Sequence, residues 1–310
     1  MSALICGSMA YDTIMVFHDK FKNHILPDKV HMLNVSFLVP VIRREFGGCA
    51  GNIAYNLKLL GETPLIMATV GHDFEPYSQW LNCRQISTKY ITTLDNHYTG
   101  QAYITTDEDD NQITAFHPGA MNDSHLNSVP ADSEISIGIV SPDGKEGMQL
   151  HAREFVEKNI PFIFDPGQGM PMFNGDELLE LMDLATYATF NDYESELMQE
   201  RTGQTLEQLA QKVDALIVTM GGEGSKIYSG RRCIEIPSAK AKVLADPTGC
   251  GDAYRAGLLY GIMNEYDWET TGRIASLLGS IKIEHNGTQN HSFTMDSFKE
   301  RYFKCFNSSF

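Results

Sequence analysis

The chain has 310 residues, 42% of them hydrophobic and 21% charged, which suffices to bury a sizeable core as one large α/β unit with a small appendage. Its net charge of −16 excludes a nucleic-acid-binding surface, because the only tight basic groups, Arg43-Arg44 and Arg231-Arg232, are too short to form one. Six scattered cysteines without a Cys-x-x-Cys pair exclude a zinc cluster or disulfide framework, and they read as reduced thiols of a cytoplasmic protein.

The first residues, Met1 to Gly7, lack the basic and apolar stretches of a signal peptide, and no apolar run approaches the roughly 20 residues that span a bilayer. Ala3–Cys6 predicts a buried first strand that ends at Gly7-Ser8. Apolar runs follow at Thr13–Phe17 and Val35–Val41. Cys49–Leu60 has helical spacing, with Ile53, Leu57 and Leu60 on one face and Gly61 as its stop. Pro64–Val70 is strand-like. Gln101–Thr106 and Gln112–Phe116 alternate around Asp107-Glu-Asp-Asp-Asn111 and predict a hairpin. That acidic turn is not a calcium loop, since Gln112 replaces the required glycine and Pro118 the closing glutamate.

From about residue 134 strands and helices alternate: Ile135–Val140, a helix over about 144–158, Phe162–Phe164, Tyr187–Phe190 and Ala215–Thr219. This order predicts a mostly parallel sheet with helices on both faces, whose ligands sit at the carboxyl ends of the strands, near Ser8, Asn191, Thr219 and Asp246. Segments of about 12–45 and 97–117 break the alternation and predict a small β-sheet lid on a single domain spanning 1–310.

The densest chemistry lies in Asp246-Pro-Thr-Gly-Cys-Gly-Asp252. A turn with glycines ahead of a helix gathers unpaired amides at the positive end of a helix dipole, which favours an anion. A carboxylate at that point would repel phosphate, so Asp252 fits a base that takes a proton from an attacking hydroxyl. A dinucleotide loop is excluded because Tyr254 occupies the sixth position, where a third glycine is needed. A Walker loop is excluded because Gly144-Lys145 is followed by Glu146. A second glycine junction, Phe46-Gly47-Gly48-Cys49-Ala50-Gly51-Asn52, allows a ligand close to the backbone, with Asn52 one turn into a helix; a tight turn with a cap is the plainer alternative.

Together these two junctions resemble the paired signatures of the ribokinase-like (PfkB) family of carbohydrate and nucleoside kinases. Gly47, Gly48 and Asn52 match the first pattern, and Asp246, Thr248, Gly249, Gly251 and Asp252 match the second. Between them Asn191-Asp-Tyr-Glu194 resembles the Asn-x-x-Glu element, and Val218–Gly224 looks like the nucleotide-binding loop. Gly7–Asp12 and Asn34–Asn56 look most like bacterial nucleoside kinases of the adenosine kinase type.

The resemblance implies a three-layer α/β/α fold and transfer of phosphate from ATP with Mg²⁺ to the 5′-hydroxyl of a purine nucleoside, adenosine first, with inosine or guanosine as further acceptors. Asp252 would be the base, and the amides of Gly249, Cys250 and Gly251 the anion hole. Asp12, Gly47, Gly48 and Asn52 would hold the acceptor's sugar. Asn191, Thr219, Gly222 and Gly224 would contact the nucleotide, with Glu194 acting on Mg²⁺ through water. Asp246 and Thr248 would bind a monovalent cation such as K⁺, with Glu284 and Gly287 as further candidates; Asp246 as a plain turn residue stays open. The lid residues His31, Met32, Gln101, Gln112 and Phe116 would cover a base, and ordinary hairpin packing stays open for each. Lids of this kind serve a monomer or pair into a homodimer.

Departures from the pattern are Cys250 for alanine, where the amide is what matters, Tyr254 for a packing Phe, and Arg255, a reach to phosphate or a surface ion pair. Gln168 stands where sugar-phosphate kinases carry a basic residue, which argues against such an acceptor. Two rival readings remain: a furanose sugar kinase of the same fold, and a non-catalytic nucleoside sensor, against which the intact Asp252 speaks.

Overall fold

The computed structural model describes residues 1–25, 34–109 and 111–310. His31 and Met32 lie outside the described residues. In chain order the first strands are β1 (Ser2–Cys6), β2 (Ala10–Val16), β3 (Val41–Gly47), β4 (Thr63–Gly71), β5 (Ser87–Leu94), β6 (Gly100–Thr106) and β7 (Gln112–His117). They continue with β8 (Ile135–Val140), β9 (Phe162–Phe164), β10 (Tyr187–Asn191), β11 (Ala215–Thr219), β12 (Ser225–Ser229) and β13 (Arg232–Ile236). The main sheet has the order β13-β12-β11-β10-β9-β8-β1-β4-β5; it is parallel from β11 to β5 and antiparallel at the β12–β13 edge.

Helices cover both faces, and the apolar alternation of the central strand explains why. Ala3 and Ile5 of β1 face one layer with Ile53 of α1 (Cys49–Leu59) and with the long C-terminal helices α7 (Cys250–Met263) and α8 (Trp268–Ile283). Leu4 and Cys6 face the other layer, with Met148 and Phe155 of α3 (Lys145–Glu157) and Leu178 of α4 (Gly175–Leu184). A strand buried on both sides reads as a continuous apolar run, as β1 does. The expected three-layer arrangement is therefore the one the chain forms.

β2, β3, β6 and β7 form the separate four-stranded sheet, in the order β3-β2-β6-β7. The hairpin β6–β7 lies where alternation predicts it, and its turn is organised by Asp107, which accepts from the amides of Phe21, Asp109 and Asn111. Val35–Val41 is not a strand; the strand is Val41–Gly47, pairing with β2 and carrying the charged Arg43-Arg44-Glu45 at the edge of the lid. Edge strands with two wet sides lose the alternation that marks buried ones. Among the described residues no helix is long and apolar enough to cross a membrane.

The sheet order places β8 and β4 on opposite sides of β1, so the chain reverses its direction of travel at β1. A cleft opens at such a switch point, beyond the carboxyl ends of the strands.

Candidate active site

The first glycine junction closes against the end of β1. The Cys49 amide donates to Ser8 Oγ at 3.1 Å and the Ala50 amide to the Ser8 carbonyl at 3.0 Å. Gly48 has φ +84°, and a Cβ there would lie 2.5 Å from the Ser8 carbonyl oxygen, so only glycine permits this docking. Asp12 of β2 lies over Gly47, where an added Cβ would meet its carboxylate. Burial, followed by the neighbouring Glu45 and Asp246 carboxylates, pushes Asp12 up to about 6. A partly buried carboxylate among like charges at the mouth of a cleft suits a partner that brings hydroxyl donors.

The second junction starts α7. Gly249 caps it at φ +76°, in the left-handed region, and Asp252 follows in the first turn. Asn52 Nδ2 donates to Asp252 Oδ2 at 2.8 Å, so two motifs 200 positions apart meet side chain to side chain. Burial pushes Asp252 up to about 6, opposed by the Asn52 hydrogen bond and by the Arg255 charge. That range suits a general base near neutral pH. Asn52 Oδ1 in turn accepts from Gln289 Nε2 at 3.0 Å. Gln289 is itself held by Trp80 Nε1 at 2.9 Å and lies 2.6 Å from the Tyr77 hydroxyl. Asn52 thus links the base to Gln289 and orients it.

The three amides of the expected anion hole divide. Cys250 N–H turns inward and donates to the Pro247 carbonyl at 3.2 Å, closing the turn. Among the described residues the Gly249 and Gly251 amides have no acceptor within the protein, and they remain the pair able to meet an anion.

Arg255 is buried and makes no surface ion pair. Its guanidinium donates to Asp165 Oδ1 at 2.8 Å and lies 3.9 Å from Glu194 Oε2, directly behind Gly251. Glu194 and Asn191 form a reciprocal capping box at the start of α5 (Asp192–Thr202): the Glu194 amide donates to Asn191 Oδ1 at 2.7 Å and the Asn191 amide to Glu194 Oε2 at 2.8 Å. Burial raises Glu194, Arg255 pulls it back and Asp165 raises it further. Among the described residues no three His, Cys, Asp or Glu side chains stand together as a metal cage. Acidic residues at a helix start, Glu194 with Asp192 in the same turn, suit Mg²⁺ held mainly by nucleotide phosphates and water.

On the other side of α7 a cavity of about 500 Å³ is lined by Thr219, Gly222, Gly224, Leu244, Cys250 and Gly251, among others. This volume is in the range of small-molecule sites. The nucleotide-loop residues and the anion-hole glycine therefore share one cavity. Tyr254 packs beneath it, its hydroxyl 2.6 Å from Ser225 Oγ.

In the lid, Asp12, Ala102 and Phe116 are direct register partners and so share one face; Phe116 is 53% exposed on it. Gln101 points to the opposite face, where its Nε2 donates to Asp73 Oδ2 at 3.0 Å and its Oε1 accepts from Tyr103 at 2.6 Å. It does not face the acceptor side. Gln112 shares the Phe116 face at the far end of β7.

Among the residues expected to hold a monovalent cation, the acidic ones are engaged by protein groups. Asp246 Oδ1 accepts from the Thr248 amide and Oδ2 from the Gly287 amide, each at 2.9 Å. Burial works to raise Asp246, and these amides hold it below its usual value. The Glu284 carboxylate is paired with Arg301 and accepts from the Lys242 amide at 2.6 Å. The Asp246 carbonyl receives Lys282 Nζ at 2.7 Å. The positive charge beside Asp246 in this structure is thus a side-chain ammonium.

A profile described as pfkB family carbohydrate kinase matches residues 9–295, from just before β2 to the first residue of α9 (Met295–Phe306). The chain belongs to that family. This kinase is 34% identical to a nucleoside kinase of Methanocaldococcus jannaschii over 271 residues, covering 86% of this chain and 89% of the other. Its fold is similar to that of Burkholderia thailandensis nucleoside kinase in complex with inosine, with a TM-score of 0.90, 47% identity and 99% of each chain covered. The same Burkholderia enzyme in complex with ADP-inosine gives a TM-score of 0.87 at 49% identity, covering 99% of this chain and 97% of the other.

Four residues of this kinase's site carry no sequence signal of their own: Cys49, Lys282 and Gln289, together with the ionic role of Arg255. Each is defined by a partner far away in the chain, as Gln289 is by Asn52 and Arg255 by Asp165. Cys49 works to lower Asp252, against the burial that raises it.

Proposed function

We propose that this kinase transfers the γ-phosphoryl group of ATP to the 5′-hydroxyl of a purine nucleoside, with Asp252 as the general base. The observation that carries the reading is the position of Asp252. It stands at the start of α7 with the open Gly249 and Gly251 amides, next to Gly251 of the nucleotide-loop cavity, and its carboxylate meets Asn52 of the first glycine junction, which supports a base set between donor and acceptor.

In the reaction Asp252 accepts the proton of the 5′-hydroxyl as its oxygen bonds to the γ-phosphorus. The bond from that phosphorus to the bridging oxygen breaks, and ADP leaves. The glycine amides receive the charge that develops on the transferring group. Asn52 keeps the base oriented, and Asp12 accepts hydrogen bonds from the sugar hydroxyls. Mg²⁺, held by the nucleotide and by Glu194 through water, would neutralise phosphate charge. Phe116 offers an aromatic face to the base, and the lid excludes water, which would otherwise compete as acceptor.

Inosine comes forward beside adenosine because the similar Burkholderia nucleoside kinase has been solved with inosine and with ADP-inosine. The test is ADP release from ATP with adenosine, inosine, guanosine and free ribose. Release with a nucleoside and none with ribose is expected. Preferred use of ribose would make it a sugar kinase, and no release with any acceptor would leave a sensor. Asp252→Asn should lower kcat by about 10³-fold while nucleoside still binds, since a base contributes roughly 10²–10⁴-fold.

A further inference from the structure

We propose that Lys282 is a tethered cation standing in for the monovalent ion, so that turnover requires no K⁺. Lys282 lies at the end of α8 and is wholly buried. Its ammonium donates to the Asp246 carbonyl at 2.7 Å and to the His285 carbonyl at 3.2 Å. Two main-chain oxygens from two loops thus converge on a positive centre that the chain itself supplies. A dissociable alkali ion would bind in the same way, through carbonyl oxygens of neighbouring turns.

The surrounding polar groups fit that role. Both Asp246 carboxylate oxygens are turned to the Thr248 and Gly287 amides, which leaves the carbonyl side of the loop to the ammonium. The Ala245 and Asp246 amides donate to the Ile283 carbonyl at 2.9 and 3.1 Å, clasping the loop to the end of α8. Burial works to lower Lys282 below its ordinary value, Asp246 and Asp252 oppose that and favour the charged ammonium, and Arg43 adds to the lowering. The loop held in this way runs from Asp246 through Gly249 and Gly251 to Asp252. The ammonium therefore fixes the anion hole and adds positive charge beneath it. A covalently attached charge has no dissociation constant, so its occupancy does not vary with the salt around the protein.

The experiment compares wild type and Lys282→Ala in KCl, ammonium chloride and choline chloride at equal ionic strength. Wild-type turnover should change by less than about twofold among the three salts. Lys282→Ala should fall by at least about 30-fold in choline chloride and recover most of that loss in K⁺ or ammonium. The activity arm rests on the phosphoryl-transfer reading, so ion binding is also read without substrate, as the anomalous signal of Rb⁺ soaked into crystals. Wild type should show no Rb⁺ between Asp246 and His285, and Lys282→Ala should show one. A wild type that loses activity without K⁺, or holds Rb⁺ at that point, would overturn the proposal. So would a folded Lys282→Ala that no cation restores. If the variant does not fold, the wild-type salt series and Rb⁺ soak still decide.

Discussion

Asp252 is ionised less readily than a free carboxyl because burial outweighs the Asn52 bond and the Arg255 charge. Its folded pKa of about 6 exceeds the unfolded 3.8, so the folded state binds more protons between those values. Stability therefore falls as pH rises through that window, and the cost persists above it. Asp252→Asn should raise stability by up to about 3 kcal/mol near pH 8 and leave it unchanged near pH 4, as paired urea titrations would reveal. In catalysis the sign reverses: kcat/KM should decline below about pH 6 as the base is protonated. Asp12 is also pushed up to about 6, so the limb belongs to both groups, and Asp12→Asn should raise KM while retaining an acid limb. Loss of the limb in that variant would transfer the base role to Asp12. At Arg255 the argument is one of compensation. Arg255→Met would leave Asp165 and Glu194 buried without their cation, and a loss of about 3–5 kcal/mol is expected by urea denaturation. A cost below about 1 kcal/mol would show that the buried pair adds little to stability.

The start of α7 depends on one backbone conformation. Gly249→Ala would strain φ +76° by about 1–2 kcal/mol and press a methyl group on Thr288, 3.0 Å away. Turnover should drop at least about tenfold with a small fall in melting temperature, because what moves is the direction of two amides. Equal turnover would show that those amides do not meet the transferring group. How far elements are legible in sequence depends on where their determinants lie. Cys49–Leu59 and Ala215–Thr219 carry their own period and stop signals, so both are visible in the sequence. Val41–Gly47 is hidden because an edge strand of charged residues gains its order from β2. Gln101 is misplaced by one face: alternation shows that β6 is a strand, and only its pairing with Tyr11 and His117 shows which side is which. The inward turn of the Cys250 amide is likewise set by the Pro247 carbonyl, a geometric detail no residue type announces.

At the scale of the molecule, the lid is fastened to the body from two directions. β2 continues from β1 after three residues, and β3 is tied to the segment after α8 by Thr288 Oγ1 to the Phe46 carbonyl at 2.6 Å and Asn290 Nδ2 to Glu45 at 3.0 Å. Trp80 stacks on Phe46 with ring centroids 5.0 Å apart and donates to Gln289, so it senses that fastening, whereas Trp268 sits beside Tyr187. Nucleoside binding should therefore alter tryptophan emission, and Trp80→Phe should abolish the change; persistence of the signal in that variant would place the moving part elsewhere.

The segment after α8 meets both glycine junctions of the site. Gly287 binds Asp246, Gln289 binds Asn52, and His291 Nε2 lies 2.7 Å from Asn56 Oδ1. All of these partners emerge from the ribosome before it does. A nascent chain that has completed the sheet, the lid and α7 still lacks the side chains that aim its base. Phosphoryl transfer is thus withheld until late in synthesis, and incomplete translation products with most of the fold in place should remain silent and leave cellular ATP untouched.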